Sequence, residues 1–168
     1  MNNPAPTAAE LKTLSESVAE AALRQRLMVV TGESCTGGWI AKCLTDISGS
    51  SAWFGAGVVA YSYEAKDVLL GVNPRTLEQF GAVSEEVARE MVAGALARMG
   101  GDVAVAVTGI AGPGGGTPGK PVGTVWIGWK RRGGYASARQ FHFDGDREAV
   151  RRQTVAAALE GLRQILTS

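Results

Sequence analysis

The chain has 168 residues, 45% of them hydrophobic and 20% charged, a composition that suits a folded globular domain and excludes a disordered one. A formal net charge of +1 gives no drive toward nucleic acid or a membrane surface, so Arg131-Arg132 and Arg151-Arg152 read as solvated pairs. No apolar run approaches the roughly 20 residues of a membrane span, and the start, with Asn2, Asn3, Pro4 and Pro6, lacks the charged-then-apolar order of a signal peptide.

Residues 1–6 read as disordered. Thr7-Ala8-Ala9-Glu10 then forms a capping box, opening a helix to about Arg26 with Leu11, Leu14, Val18, Ala21 and Ala22 on one face. Leu27 to Thr31 is a short buried strand. After the turn Glu33-Ser34-Cys35-Thr36-Gly37-Gly38, a helix runs from about Gly38 to Ile47, followed by a Ser/Gly loop to Ser51. Gly57 to Ser62 reads as a second strand, leading into a short helix through Lys66 to Leu70 that Gly71 ends. Asn73-Pro74 opens another short helix, and Ser84 caps one that reaches Met99 and closes at Gly100-Gly101. Asp102 to Thr108 is a near-continuous apolar strand of the kind buried on both faces. A Gly/Pro loop, Gly109 to Gly123, precedes a hairpin: Val122 to Lys130 and Tyr135 to Phe143 flank Arg131-Arg132-Gly133-Gly134. The last helix spans about Asp146 to Leu166, with Val150, Val155, Leu159, Leu162 and Ile165 as its stripe. This alternation predicts one domain without repeats, a three-layer α/β/α sandwich whose mixed sheet includes one antiparallel hairpin.

The turn at Ser34 is the most informative stretch. A serine between a strand and a helix is held by rigid elements on both sides, beside the free N–H groups that open the helix. Two chemistries suit it, a nucleophile beside an oxyanion hole or a phosphate cradle. Three tempting motifs fail on context. Gly114 to Lys120 fits a Walker A loop, but Pro121 stands where a hydroxyl is needed and a strand follows where a helix should begin. Gly55 to Ala60 matches a dinucleotide fingerprint yet reads as a strand. Gly32-Glu33-Ser34-Cys35-Thr36 resembles a nucleophile elbow, and Asp102 and His142 follow in hydrolase order. His142, however, sits in a hairpin strand between Phe141 and Phe143, where a structural or exposed role is expected. A Ser34–His142–Asp102 triad is therefore the alternative, not the main reading.

Lysine is the other strong base for Ser34. Tyr61 ends a strand and Lys66 follows one helical turn later; such a lysine serves as a base only where burial or nearby cations lower its pKa. Spacing alone favours Lys66 on the surface and Tyr61 in the core. Cys35 competes as nucleophile, or is a small buried hydrophobe. Cys35 and Cys43 show no metal-ligand or disulfide spacing, so no zinc is expected and a reducing cytoplasm is the default location. Thr108 and the glycines after it end a buried strand, where α/β sheets place ligands and where backbone N–H groups approach an anion closely. Arg147, at the start of the last helix, reads either as a phosphate partner or as a surface arginine.

Together these segments resemble the C-terminal domain of the CinA competence/damage-inducible proteins, a family that includes nicotinamide mononucleotide deamidases. The resemblance runs from about Ala8 onward. It rests on Glu33 to Gly38, Tyr61 to Lys66 with Leu69 to Val72, Gly81 to Ser84, Val107 to Gly115, Lys120 to Val125 and Gly145 to Arg147. It implies hydrolysis of a nicotinamide carboxamide to nicotinate mononucleotide and ammonia, in pyridine nucleotide recycling, without metal or cofactor. It implies Ser34 as nucleophile, Lys66 as base and Tyr61 as its assistant. Glu33, Cys35, Thr36, Gly37, Gly38, Thr108, Gly109, Gly112, Gly114, Gly115 and Arg147 are then expected around the substrate. Either glycine-rich turn is open to the phosphate. The resemblance further implies a stand-alone domain, without the large N-terminal domain of full-length CinA, and a homo-oligomer whose partner is a small-molecule nucleotide. One departure stands out: the family reads Tyr-Ser-Asn before the lysine turn, and this chain has Tyr63. An Asn there caps the helix or touches substrate, and Tyr does neither in the same way, which keeps a non-catalytic nucleotide-binding module of the same fold as a second alternative.

Overall fold

The structure, a computed structural model, describes residues 4–168. The expectation of disorder falls for residues 1–3 outside the described residues; in the rest, the Pro6 carbonyl accepts a hydrogen bond from Arg152. Helix α1 (Ala8–Gln25) opens on the expected capping box: Glu10 N–H donates to Thr7 Oγ1 at 3.1 Å and Thr7 N–H to Glu10 Oε2 at 2.6 Å. Strand β1 (Val29–Glu33) leads into helix α2 (Trp39–Thr45), and strand β2 (Phe54–Val59) into helix α3 (Tyr63–Leu70). Helices α4 (Pro74–Phe80) and α5 (Glu85–Met99) are capped by Asn73 and Ser84, whose side chains accept from Arg75 and Val87 N–H. Strand β3 (Val103–Gly109) is followed by the hairpin β4 (Thr124–Arg131) and β5 (Ser137–His142), and helix α6 (Arg147–Thr167) ends the fold.

The five strands lie in the order β2-β1-β3-β4-β5, with β2, β1 and β3 paired parallel and β4 antiparallel to both of its neighbours, β3 and β5. Alternate residues of the inner strands feed two cores, as the period-2 geometry of a strand requires. Val29, Val103, Val105 and Val107 pack against α1, α2 and α6 through residues such as Val18, Leu44 and Leu159. Val30, Ala104 and Ala106 face α3, α4 and α5 through Leu70, Leu77 and Met91. The result is the three-layer α/β/α sandwich with a mixed sheet.

Two local differences have physical causes. Strand β2 runs three residues earlier than expected, because Val29 N–H pairs with Trp53 O at 2.7 Å and the register continues from Phe54. It is an edge strand, and Gly55-Ala56-Gly57 carries little of the β-branched signal by which strands are recognised. The Ser48–Ser51 loop also contains a 3-10 turn, Ser50–Ala52.

One buried hydroxyl in β1 has no partner among the described residues, that of Thr31. It lies against β2, where a Cβ on Gly57 would come within 2.7 Å of it. An unpaired buried hydroxyl carries its desolvation cost without return. Thr31→Val, nearly isosteric, is therefore expected to raise the unfolding free energy by about 1 kcal/mol, read as a higher urea midpoint at unchanged slope.

Candidate active site

Glu33 at the end of β1 pairs with Val107 in β3, so the residues that follow the two strands emerge side by side. Ser34 leaves β1 with its N–H on Val107 O at 3.1 Å. Between this turn, the loop after β3 and the start of α3 lies a cleft of about 260 Å³. Larger grooves exist, such as one of about 490 Å³ between β5 and α6, but their linings hold no paired nucleophile and base.

Ser62 caps α3, its hydroxyl accepting from Ala65 N–H at 3.0 Å, and this sets Lys66 one turn into the helix, pointing under the sheet edge. Lys66 is 1% exposed. Its Nζ lies 2.9 Å from Ser34 Oγ, 3.1 Å from Ala60 O and 2.9 Å from Tyr61 O. None of the ion pairs among the described residues involves it. Burial pushes its pKa below the usual lysine value, against a smaller opposing effect from Cys35. In the neutral amine, two N–H groups would serve the two carbonyls and the lone pair would face the serine hydroxyl.

Tyr61 contacts Lys66 through its main-chain carbonyl. Its phenol, on a side chain left 58% exposed, accepts instead from Arg147 Nη2 at 3.1 Å. Arg147 Nη1 donates to Gly112 O at 2.8 Å, so one guanidinium joins the tyrosine to the glycine loop. Thr108 lines the cleft with its hydroxyl donating to Ala82 O at 2.8 Å. Gly109, Gly112, Gly114 and Gly115 line it too. At Gly109 a Cβ would fall 2.7 Å from Val125, so the close approach of β4 requires glycine; Gly112 needs it for φ +82°.

Cys35 lines the cleft, but burial first and the neighbouring Glu33 charge second push its thiol up to about 12. It is a thiol at neutral pH and a poor rival to Ser34. Glu33, Thr36, Gly37 and Gly38 lie outside the lining. The Glu33 carboxylate, 1% exposed, accepts from Thr36 Oγ1 at 2.6 Å, Ile40 N–H at 2.9 Å and Ala41 N–H at 3.0 Å. It caps α2 from a distance, since Gly38 at the N-cap has no side chain to do so. Burial raises its pKa despite these bonds.

The alternative triad does not assemble. Asp102 precedes β3 and accepts from Met28 N–H at 2.8 Å, at the opposite end of the strands from Ser34, about 20 Å away at 3.3 Å per residue. His142 is at the near end but three strands across, about 14 Å at 4.8 Å per strand, beside Asp144. Lys120, the lysine of the Walker-like run, donates to Phe80 O at 2.6 Å. No group of three or more His, Cys, Asp or Glu among the described residues is placed to hold a metal, and no helix there is long and apolar enough to cross a membrane.

The CinA C-terminal domain profile matches residues 11–166. The chain belongs to the CinA C-terminal domain family. It is 53% identical over 158 residues to the nicotinamide-nucleotide amidohydrolase PncC of Escherichia coli K12, covering 94% of this chain and 96% of that protein. A Pseudomonas putida protein of the same name is 54% identical over 157 residues, covering 94% and 98%. The crystal structure of the competence/damage inducible protein CihA from Agrobacterium tumefaciens superposes with a TM-score of 0.92 at 43% identity, covering both chains fully.

In this CinA-family chain Tyr63 follows the cap, so the cap that an Asn there would supply is already made by Ser62. The Tyr63 phenol accepts from Ala82 N–H at 3.3 Å across the cleft mouth. Ala82, Val83 and Ile110 also line the cleft; they belong to the blocks that carry the resemblance, but small and apolar side chains announce no chemistry of their own.

Proposed function

We propose that this chain hydrolyses the carboxamide of nicotinamide mononucleotide to nicotinate mononucleotide and ammonia, acting in pyridine nucleotide recycling. The observation that carries the reading is the buried, unpaired Lys66 amine 2.9 Å from Ser34 Oγ, in a cleft whose far side holds Arg147 and a glycine loop. The names of the relatives above supply the substrate class.

Ser34 Oγ attacks the carboxamide carbon and its proton passes to Lys66 Nζ. The oxyanion is held by N–H groups of the Cys35-Thr36 turn, where one such donor is typically worth about 3 kcal/mol. The tetrahedral intermediate collapses by breaking the C–N bond, and the proton on Lys66 goes to the departing nitrogen as ammonia. Water then attacks the acyl-serine, Lys66 again taking a proton, and Ser34 recovers its own as the acid leaves. Arg147 and the N–H groups of Gly114 and Gly115 hold the phosphate, so the carboxamide lies at the Ser34 turn. Arg147 and the Tyr61 and Ala60 carbonyls position the parts; no metal takes a step in this scheme.

Because Lys66 must be neutral to act, kcat/KM is expected to rise with pH to a plateau, with a midpoint below the ordinary lysine range. A rate profile that falls on the alkaline side from neutrality would contradict this. The function itself is tested by incubating pure protein with nicotinamide mononucleotide and identifying both products. Equimolar nicotinate mononucleotide and ammonia are expected. Binding without either product would make the chain a nucleotide-binding module.

A further inference from the structure

The turn that carries Ser34 is fixed from outside by a residue that takes no step in the hydrolysis. Ser34, Cys35, Thr36 and Gly37 form a tight turn in which Gly37 N–H donates to Ser34 O at 3.0 Å. The other two carbonyls of the turn are both taken by Arg151: Nε donates to Cys35 O at 3.0 Å and Nη2 to Thr36 O at 3.0 Å. Trp39 N–H shares Thr36 O at 3.1 Å. All three carbonyls are thus engaged, while the Thr36 N–H has no protein acceptor among the described residues and the Cys35 N–H meets only its own thiol. In a trans peptide the N–H and C=O point opposite ways. Holding Cys35 O toward α6 therefore turns the Thr36 N–H of the same peptide away from it, and holding Thr36 O sets the Gly37 N–H that closes the turn on Ser34 O.

Arg151 sits on α6 four residues after Arg147, one turn along the same face. The helix thus sends one guanidinium to the glycine loop and Tyr61, and the next to the nucleophile turn. The Arg151 guanidinium also lies over the Trp39 ring, 5.4 Å from its centre, which limits its freedom.

We propose that Arg151 is a positioning residue of the hydrolytic site, holding the Cys35–Thr36 and Thr36–Gly37 peptides so that the Thr36 N–H is set for the oxyanion formed when Ser34 attacks and the turn stays closed on Ser34 O. The proposal rests on the serine mechanism above but not on the identity of the substrate. Two parallel N–H donors in a rigid fork do this, and a lysine, a single point charge, does not. Arg151→Gln and Arg151→Lys are each expected to lower kcat by about 10- to 100-fold, the scale of a small misplacement of reacting groups, with KM nearly unchanged.

The test reads three quantities on wild type, Arg151→Gln and Arg151→Lys. These are the melting temperature, steady-state kinetics with nicotinamide mononucleotide, and the rate at which a fluorophosphonate labels Ser34, followed by mass spectrometry. As the serine oxygen bonds to phosphorus and fluoride leaves, negative charge builds on the phosphoryl oxygen, so the labelling rate reports on the turn even if the nucleotide reading is wrong. Support is labelling slowed at least tenfold in both variants at a melting temperature within a few degrees of wild type. Labelling within twofold of wild type in either folded variant would overturn it, as would a rise in KM at constant kcat. Should Arg151→Gln not fold, Arg151→Lys alone decides. Loss of nucleotide turnover in wild type with labelling intact would count against the substrate and leave the Arg151 result to stand.

Discussion

Lys66→Met is expected to reduce ammonia release by about 10³-fold or more, while leaving a folded protein that still binds the nucleotide. General-base removal alone typically costs 10² to 10⁴, and here the base also orients the nucleophile through the 2.9 Å contact. Methionine keeps the apolar length of the side chain and removes the amine, so the helix and core around position 66 survive. The same variant tests the lysine's protonation through stability. Its pKa is depressed in the folded state, so the unfolded chain binds more protons between the folded and ordinary lysine values. Wild-type stability therefore rises with pH through that window and is lost as pH falls through the folded value. The Lys66→Met variant has no such dependence, whatever offset the two freed carbonyls add. The melting-temperature difference, Lys66→Met minus wild type, should become less positive or more negative as pH rises from 7 to 10. A difference that stays flat would mean that Lys66 is not perturbed by burial.

Gly94→Ala is expected to be among the most damaging single substitutions. Gly94 lies in α5, where the last turn of α3 crosses it, and a Cβ there would fall 1.6 Å from Leu70 O and 2.7 Å from Leu70 C. Those are main-chain atoms, so no side-chain rotation relieves the clash; either α3 moves or the fold loosens. Overpacking costs are typically 1–3 kcal/mol, and a clash of this depth against backbone belongs at about 3 kcal/mol or above. Since α3 carries Lys66, its displacement should also lower kcat. Chemical denaturation and the ammonia assay together check this; an unchanged midpoint would show that the two helices are not held at this distance.

What was readable in the sequence follows local chemistry. The capping box at Thr7, the Asn73 and Ser84 caps and the apolar run of β3 are signals carried within a few residues, and the structure has all of them. The placement of Ser34 after β1 follows from the same local logic. Partners from distant segments were not readable. The main-chain carbonyls of Ala60 and Tyr61 hold Lys66, yet a carbonyl leaves no mark in a sequence. Glu33 was expected near substrate, but it faces the α2 N-terminus, because strand alternation turns it to the side on which that helix packs. Arg151 was read as half of a solvated pair, and only the packing of α6 brings it to a turn 115 residues earlier in the chain. The Tyr61 phenol bonds to Arg147 across a separation of 86 residues, which no spacing rule foresees.

The central claim is that Ser34 is the nucleophile and Lys66 its base, and its most direct test is chemical trapping. Wild-type protein mixed with nicotinamide mononucleotide and acid-quenched within one turnover should carry the acyl adduct on Ser34 in peptide mass spectra. The adduct should be absent from Ser34→Ala and from Lys66→Met quenched at the same time. An adduct on Cys35, or full ammonia release by Ser34→Ala, would contradict the account.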